Sequence, residues 1–189
     1  MKTSFTKTLL FCLALLIQFP QDGHSQKLNM DMVPGLKPRN IGPAGMSGRV
    51  TSIDVLLSDP SVIYLGSAAG GLWHSDNGGD TWNPLFTDEV VASIGVVKIN
   101  QNNPSEIWVG TGEGNPRNSQ NSGYGIYRSL DGGQNWQLMG LEKTRTIHRI
   151  IQHRDDPNTL VVAVTGSAWG DSPHRGVYKT TDGGRTWRK

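Results

Sequence analysis

Two sets of side chains in this 189-residue sequence could take part in chemistry. The first is a row of acids and one amide at fixed places in a recurring motif: Asn77, Asp131 and Asp182, each followed by two glycines and, further on, by Trp82, Trp136 or Trp187. The second is a looser set in polar stretches. It contains Glu113, Asn115 and Arg117, then Trp169, Asp171, His174 and Arg175, with Arg49, Arg145 and Arg149 outside those stretches. Cleavage of a glycosidic bond usually needs two carboxyl groups flanking it, and Glu113 with Asp171 is the pair that could serve.

Other chemistries find little here. His74, His148, His153 and His174 show no metal-ligand spacing, so no metal site is expected. There is no Gly-x-Ser-x-Gly elbow, and the single cysteine, Cys12, lies in the N-terminal apolar run. The glycine-rich stretches read as hairpin turns, because no helix follows them to complete a phosphate loop. No cofactor is expected.

The N-terminus reads as an export signal over residues 1–25. Lys2 and Lys7 precede the apolar run Leu9–Ile17, and Gly23 and Ser25 supply the small residues expected at a cleavage point. The run is too short to cross a bilayer as a helix, which takes about 20 residues. A secreted product is therefore expected, periplasmic, outer-surface or extracellular in a bacterium. Removal of Lys2, Lys7 and Asp22 takes the basic residues from 18 to 16 and the acids from 16 to 15, a net charge of +1. That is no footprint for nucleic acid or an anionic membrane, and no later segment reads as a membrane span. Cys12 leaves with the signal, so no disulfide is expected.

Self-similarity organises the rest. Ser75–Trp82, Ser129–Trp136 and Thr180–Trp187 are three copies of one box, with tryptophans 54 and then 51 residues apart. Asp59-Pro60, Asn103-Pro104 and Asp156-Pro157 each precede a β-rich run, and each box follows a run alternating apolar and polar residues. The predicted fold is all-β: a partial β-propeller of about three four-stranded antiparallel blades with Asp-box hairpins, the last incomplete. Residues 26–40 are an extended lead-in. The blades span about 41–87, 88–141 and 142–189, with first strands at Val50–Val55, Ile94–Ile99 and Ile147–Gln152. The fourth strand of the third blade only begins by Lys189.

The box acids read as turn locks. Asp or Asn in a tight turn accepts backbone N–H bonds two residues on, and glycines there take positive φ without strain. In an antiparallel meander successive turns alternate between its two ends. The Pro turns and the boxes therefore share one face. The loops joining second to third strands share the other, with the links between blades. Those loops are uneven: four residues, Ser67–Gly70, in the first blade, but Gly112–Gly123 and Gly166–Arg175 in the next two. Long polar loops on a rigid scaffold are the usual place for binding. The expected binding residues are Glu113, Asn115, Arg117, Trp169, His174, Arg175 and Arg49.

These boxes resemble the Asp-box (BNR) repeat of sialidases, xyloglucanases and sortilin-type receptors. The stretch from Arg39 to Trp187 resembles secreted bacterial propellers described as sortilin-like or glycosyl-hydrolase-like. Besides the boxes, the resemblance is carried by Arg39-Asn40-Ile41-Gly42-Pro43, Ser47-Gly48-Arg49-Val50 and Gly110-Thr111-Gly112-Glu113-Gly114-Asn115. The resemblance implies a longer parent chain that supplies the remaining blades. The xyloglucanases it resembles carry a catalytic Asp in a Thr-Asp-Val-Gly-Gly segment of the first blade. Here the matching residues are Ser67-Ala68-Ala69-Gly70-Gly71, with Ala68 in the place of that Asp. The Phe/Tyr-Arg-Ile-Pro motif of sialidases is absent. The expected function is therefore a binding or scaffold module for a peptide, protein or glycan. The alternative is part of a glycoside hydrolase whose catalytic residues lie in further blades.

Overall fold

The computed structural model describes residues 49–116 and 118–189. The export signal, the lead-in and Arg117 lie outside the described residues.

Among the described residues eleven strands form three antiparallel meanders. The first blade holds β1 (Val50–Val55), β2 (Ile63–Ser67), β3 (Leu72–Ser75) and β4 (Asn83–Leu85), hydrogen-bonded in that order. The second holds β5 (Ile94–Ile99), β6 (Ile107–Thr111), β7 (Ile126–Ser129) and β8 (Gln137–Leu138). The third holds β9 (Ile147–Gln152), β10 (Leu160–Val164) and β11 (Gly176–Thr180), and a bridge between Lys179 and Arg188 starts a fourth strand. The expected partial propeller, its first-strand ranges and its unfinished third blade are all present. Among the described residues no helix is long and apolar enough to cross a membrane.

The box locks as anticipated, with a different wiring. The acid does not reach two residues on; it reaches three and four. Asp131 accepts the N–H groups of Gln134 and Asn135 at 3.0 and 2.9 Å, and Asp182 accepts that of Thr186 at 2.9 Å. Nearer contacts belong to the hydroxyl two residues before the acid. Ser129 Oγ donates to Asp131 at 2.8 Å and accepts the N–H of Gly133 at 2.8 Å. Thr180 does the same for Asp182 and Gly184, and Ser75 for Asn77 and Gly79. Backbone and side-chain bonds from Asn135 hold the Asp131 carboxyl down at about 2. Bonds from the Thr186 hydroxyl and backbone do the same for Asp182, also at about 2. Both box glycines have φ between 69° and 98°, which side-chain-bearing residues avoid.

Each box is also fastened to the Pro turn of its own blade. The N–H of Gly78 donates to the Ser61 carbonyl, that of Gly132 to Ser105, and that of Gly183 to Asn158, each at 2.9 Å. These three bonds put the Pro turns and the boxes at one end, as the alternation of meander turns requires.

Blades stack through apolar faces. Leu56, Tyr64, Leu72, Phe86, Ile94, Val97, Ile107, Val109 and Tyr127 form the core between the first two. Trp108, Ile126, Ile147, Ile150, Leu160, Val162 and Tyr178 form that between the second and third. Two glycines set the approach. A methyl added at Gly66 would lie 2.5 Å from Ile94 Cγ2, and one at Gly110 would lie 2.6 Å from Ile147 Cγ2. The first strands also lock edge to edge: Asp54 accepts the Ile99 N–H at 2.7 Å and pairs with Lys98 at 2.9 Å. A buried knot at the second interface centres on Glu106, which takes bonds from Asn100, Trp108 Nε1 and Arg128.

Candidate functional site

The end opposite the boxes carries the two long loops. Glycines shape their roots. Gly112 sits at φ 91°, and a side chain there would strike the Arg145 carbonyl at 2.0 Å. Gly123 donates its N–H to the same carbonyl, joining the second-blade loop to the link that enters the third blade. Arg145 itself adopts φ 62°, and Leu141 adopts φ 63°, so this link is held in a conformation that non-glycine residues adopt sparingly.

Glu113 is fully buried, and its carboxylate is engaged on both oxygens by Arg49, at 2.7 and 2.5 Å. Its backbone N–H donates to the Asn121 carbonyl. Hydrogen bonding to Glu113 raises the Arg49 pKa above its ordinary value. Asn121 in turn donates to the Ala68 carbonyl, and the Ala68 N–H donates to that of Arg49. Glu113, Arg49 and the short first-blade loop thus form one seam, in which the carboxylate is used for anchoring. Ala68 is itself buried and offers only a methyl group.

The open space lies between the second-blade and third-blade loops. One cavity of about 600 Å³ is lined by Gly114, Pro116, Gln120, Ser167, Trp169 and Arg175, among others. A second, of about 760 Å³, is lined by Gly123, Lys143, Arg145, Ser167, Asp171 and His174, among others. Ser167 belongs to both walls. Trp169 stands 69% exposed at the rim of the first. Its backbone is held by Ser167 Oγ, while its ring has no ring contact among the described residues. Arg175 faces its own loop, donating to the carbonyls of Thr165 at 2.7 Å and Ser167 at 2.9 Å. Asn115 contributes its carbonyl to Gln120, and the His174 carbonyl accepts the Tyr178 hydroxyl.

The expected site residues therefore separate into three groups. Glu113 and Arg49 pair in the seam and line neither cavity. Trp169 and Arg175 share the first cavity. Asp171 and His174 share the second, with Arg145. Arg149 lies away from both: it lines a cleft of about 430 Å³ along the first strands with Ser52, Asp54 and Lys98. Among the described residues no three His, Cys, Asp or Glu side chains cluster as metal ligands. Sequence reasoning passed over Gln120 and Lys143, which line the cavities; the place of Gln120 in the second-blade loop and of Lys143 in the link after that blade was the available signal.

Comparison with known proteins fits this architecture. The BNR/Asp-box repeat pattern matches residues 127–138. The oligoxyloglucan-reducing end-specific xyloglucanase of Emericella nidulans is 28% identical over 155 residues, covering 78% of this chain and 18% of that protein. Among solved structures, an ancestral GH74 enzyme is similar with a TM-score of 0.56 at 20% identity, over 78% of this chain and 19% of the other. The GH74 enzyme of Niastella koreensis gives 0.53 at 27% identity, over 75% and 21%. YCF48 bound to D1 peptide gives 0.52 at 15% identity, over 80% and 42%. The chain spans about a fifth of the length of the xyloglucanase and the two GH74 enzymes. It is a BNR-repeat propeller segment related to the glycosyl hydrolases.

Proposed function

We propose that the groove between the two long loops binds an extended glycan, a β-glucan type of chain, and that the seam around Glu113 supports the groove without breaking the bond. One observation carries this reading: Trp169 is exposed at the rim of an open cavity whose other walls include Asn118, Gln120, Ser167 and Arg175 beside small residues. A flat aromatic face beside adaptable hydrogen-bonding groups suits a sugar ring, which is apolar on its C–H faces and polar at its edge. The likeness to a xyloglucanase at 28% identity supports a glycan over a peptide. Export through residues 1–25 would put this groove outside the cytoplasm, where such polymers are met, and N-terminal sequencing of secreted protein tests it.

Calorimetric titration of the whole chain with xyloglucan oligosaccharides, cello-oligosaccharides, sialosides and a control peptide tests the ligand class. Binding of a glucan that Trp169→Ala weakens tenfold or more, with an unchanged circular dichroism spectrum, is the expected result. Equal binding by both proteins would overturn it.

A second reading rests on Asp171, which lines the larger cavity with no hydrogen-bond or ion-pair partner among the described residues. It would serve one half of a hydrolytic pair whose other acid lies elsewhere in a longer parent. Release of reducing ends from a glucan, abolished in Asp171→Asn, would favour hydrolysis over binding alone.

A further inference from the structure

The first box differs from the other two by an amide. Asn77 stands where Asp131 and Asp182 stand, and Gly78 follows it. Asparagine before glycine is the pairing most open to deamidation, because no side chain keeps the glycine nitrogen away from the amide carbon. Both residues are exposed, and a methyl added at Gly78 would meet nothing within 4 Å.

The bonds around this amide match those around the acids except in one direction. Asn77 Oδ1 accepts the Thr81 N–H at 3.0 Å and the Ser75 hydroxyl at 2.9 Å, as Asp182 Oδ1 accepts the Thr186 N–H and the Thr180 hydroxyl. The other end is reversed. Asn77 Nδ2 donates to Thr81 Oγ1 at 2.8 Å, whereas Thr186 Oγ1 donates to Asp182 Oδ2 at 2.6 Å. A threonine hydroxyl can do either, so a carboxylate in place of the amide would fit once the Thr81 hydroxyl turned its hydrogen.

The clasp to the Pro turn holds the amide back. Ring closure needs the Gly78 nitrogen free to attack the side-chain carbonyl carbon of Asn77. In the closed box that N–H is committed to the Ser61 carbonyl at 2.9 Å, and the Asn77 side chain is held at both ends by Thr81. Ser61 is itself fixed by Asp59, which accepts its N–H at 3.1 Å and its hydroxyl at 2.6 Å.

We propose that Asn77 is a deamidation site, closed while the clasp is shut and reactive when the first box opens. The Gly78 nitrogen loses its proton to water and bonds to the Asn77 side-chain carbonyl carbon. The amide nitrogen takes up a proton and leaves as ammonia, and a cyclic imide remains. Water then opens the imide. Cleavage of the new bond gives aspartate, and cleavage of the original peptide bond gives isoaspartate. The sum is water consumed and ammonia released, with no oxidation or reduction. The aspartate product completes a third acid box. The isoaspartate product runs the main chain through the side-chain carbon and cannot form one.

Folded and urea-unfolded samples of the full chain, held in mildly alkaline buffer, test this. Mass spectrometry of the peptide that contains Asn77 follows the loss of the amide. The folded chain should convert at least tenfold more slowly, since reaction follows the fraction of open box. Asp59→Ala loosens the turn beneath the clasp. It should speed both conversion and hydrogen exchange at Gly78 several-fold in a chain that still melts cooperatively. Ser61→Ala, which drops only the hydroxyl bond, should give a smaller rise. Asn77→Asp should melt above the starting chain at neutral pH, because its bonds become charge-assisted. That gain should vanish as pH falls towards 2, where Asp131 and Asp182 also take up protons. Equal rates in folded and unfolded chains overturn the proposal, and so does an amide that survives in the unfolded chain. So does an Asp59→Ala chain with unchanged conversion. Asn77→Asp melting below the starting chain overturns the completed box.

Discussion

Arg49 and Glu113, 64 residues apart in the chain, close two hydrogen bonds that tie the start of the first blade to the root of the second-blade loop. The Glu113 side chain is fully buried, and the Arg49 side chain keeps 37% of its surface in water.

That asymmetry orders the variants of this pair. Arg49→Ala leaves a buried carboxylate without its partner, whereas Glu113→Gln leaves a neutral amide facing a cation that water still reaches. Arg49→Ala is therefore expected to destabilise the fold more. Glu113→Gln should cost about 1–3 kcal/mol, the penalty for a compromised buried hydrogen bond. In urea titrations the double variant should be more stable than Arg49→Ala alone, since it removes the stranded charge. Equal losses in both single variants would show that the charge is not stranded.

Acid should act on the fold in steps. Burial lowers the His74 and His148 pKa values below 6.5, so the unfolded chain takes up those protons first and stability starts to fall below about pH 6.5. Asp131 and Asp182 sit at about 2 when folded against 3.8 otherwise. Their contribution is fully present above about pH 4 and is lost as pH falls towards 2. Asp131→Asn, matching the amide already present at Asn77, should flatten the acid limb of a melting-temperature profile. An unchanged slope would count against the locks.

Gly110→Ala tests the spacing of the blades. The added methyl meets Ile147 and Val96 within 3 Å, and overpacking of this kind costs about 1–3 kcal/mol. Gly110→Ala with Ile147→Val should recover most of the loss in a denaturant titration.

Arg175 should affect binding through the loop it holds. Its guanidinium clamps two carbonyls of the loop that carries Trp169. Arg175→Ala should increase hydrogen exchange across residues 165–175 and weaken glycan binding several-fold. Arg175→Lys should not restore either, because an ammonium cannot hold two carbonyls in one plane as a guanidinium does. Full protection in Arg175→Ala would remove the clamp from the account.

Much of the fold could be read from the chain. The first strands end where alternation and the Pro turns end them, and Gly78, Gly132 and Gly183 confirm that boxes and Pro turns share a face. Local rules sufficed because both features lie within one hairpin or one turn. The same rules mislocated the acid's bonds in the box, since they treat a turn without the serine or threonine that precedes it. The pairing of Glu113 with Arg49 was not legible, although both residues were singled out. Which distant charges meet depends on how one blade stacks on another, and no local period encodes that. Arg149 shows the same limit: its strand was placed correctly, but its side chain belongs to the cleft along the first strands.

The clasp from box glycine to Pro-turn carbonyl has a kinetic consequence. Each clasp closes within its own blade, so a blade can complete its hydrogen bonding before its neighbour exists. Contacts between blades are mainly shape and apolar area, and they form afterwards. Short-range closure followed by docking is the fast order for a β topology, where distant pairing otherwise slows folding. It also suits a chain that folds from its N-terminus as it emerges, one blade templating the next.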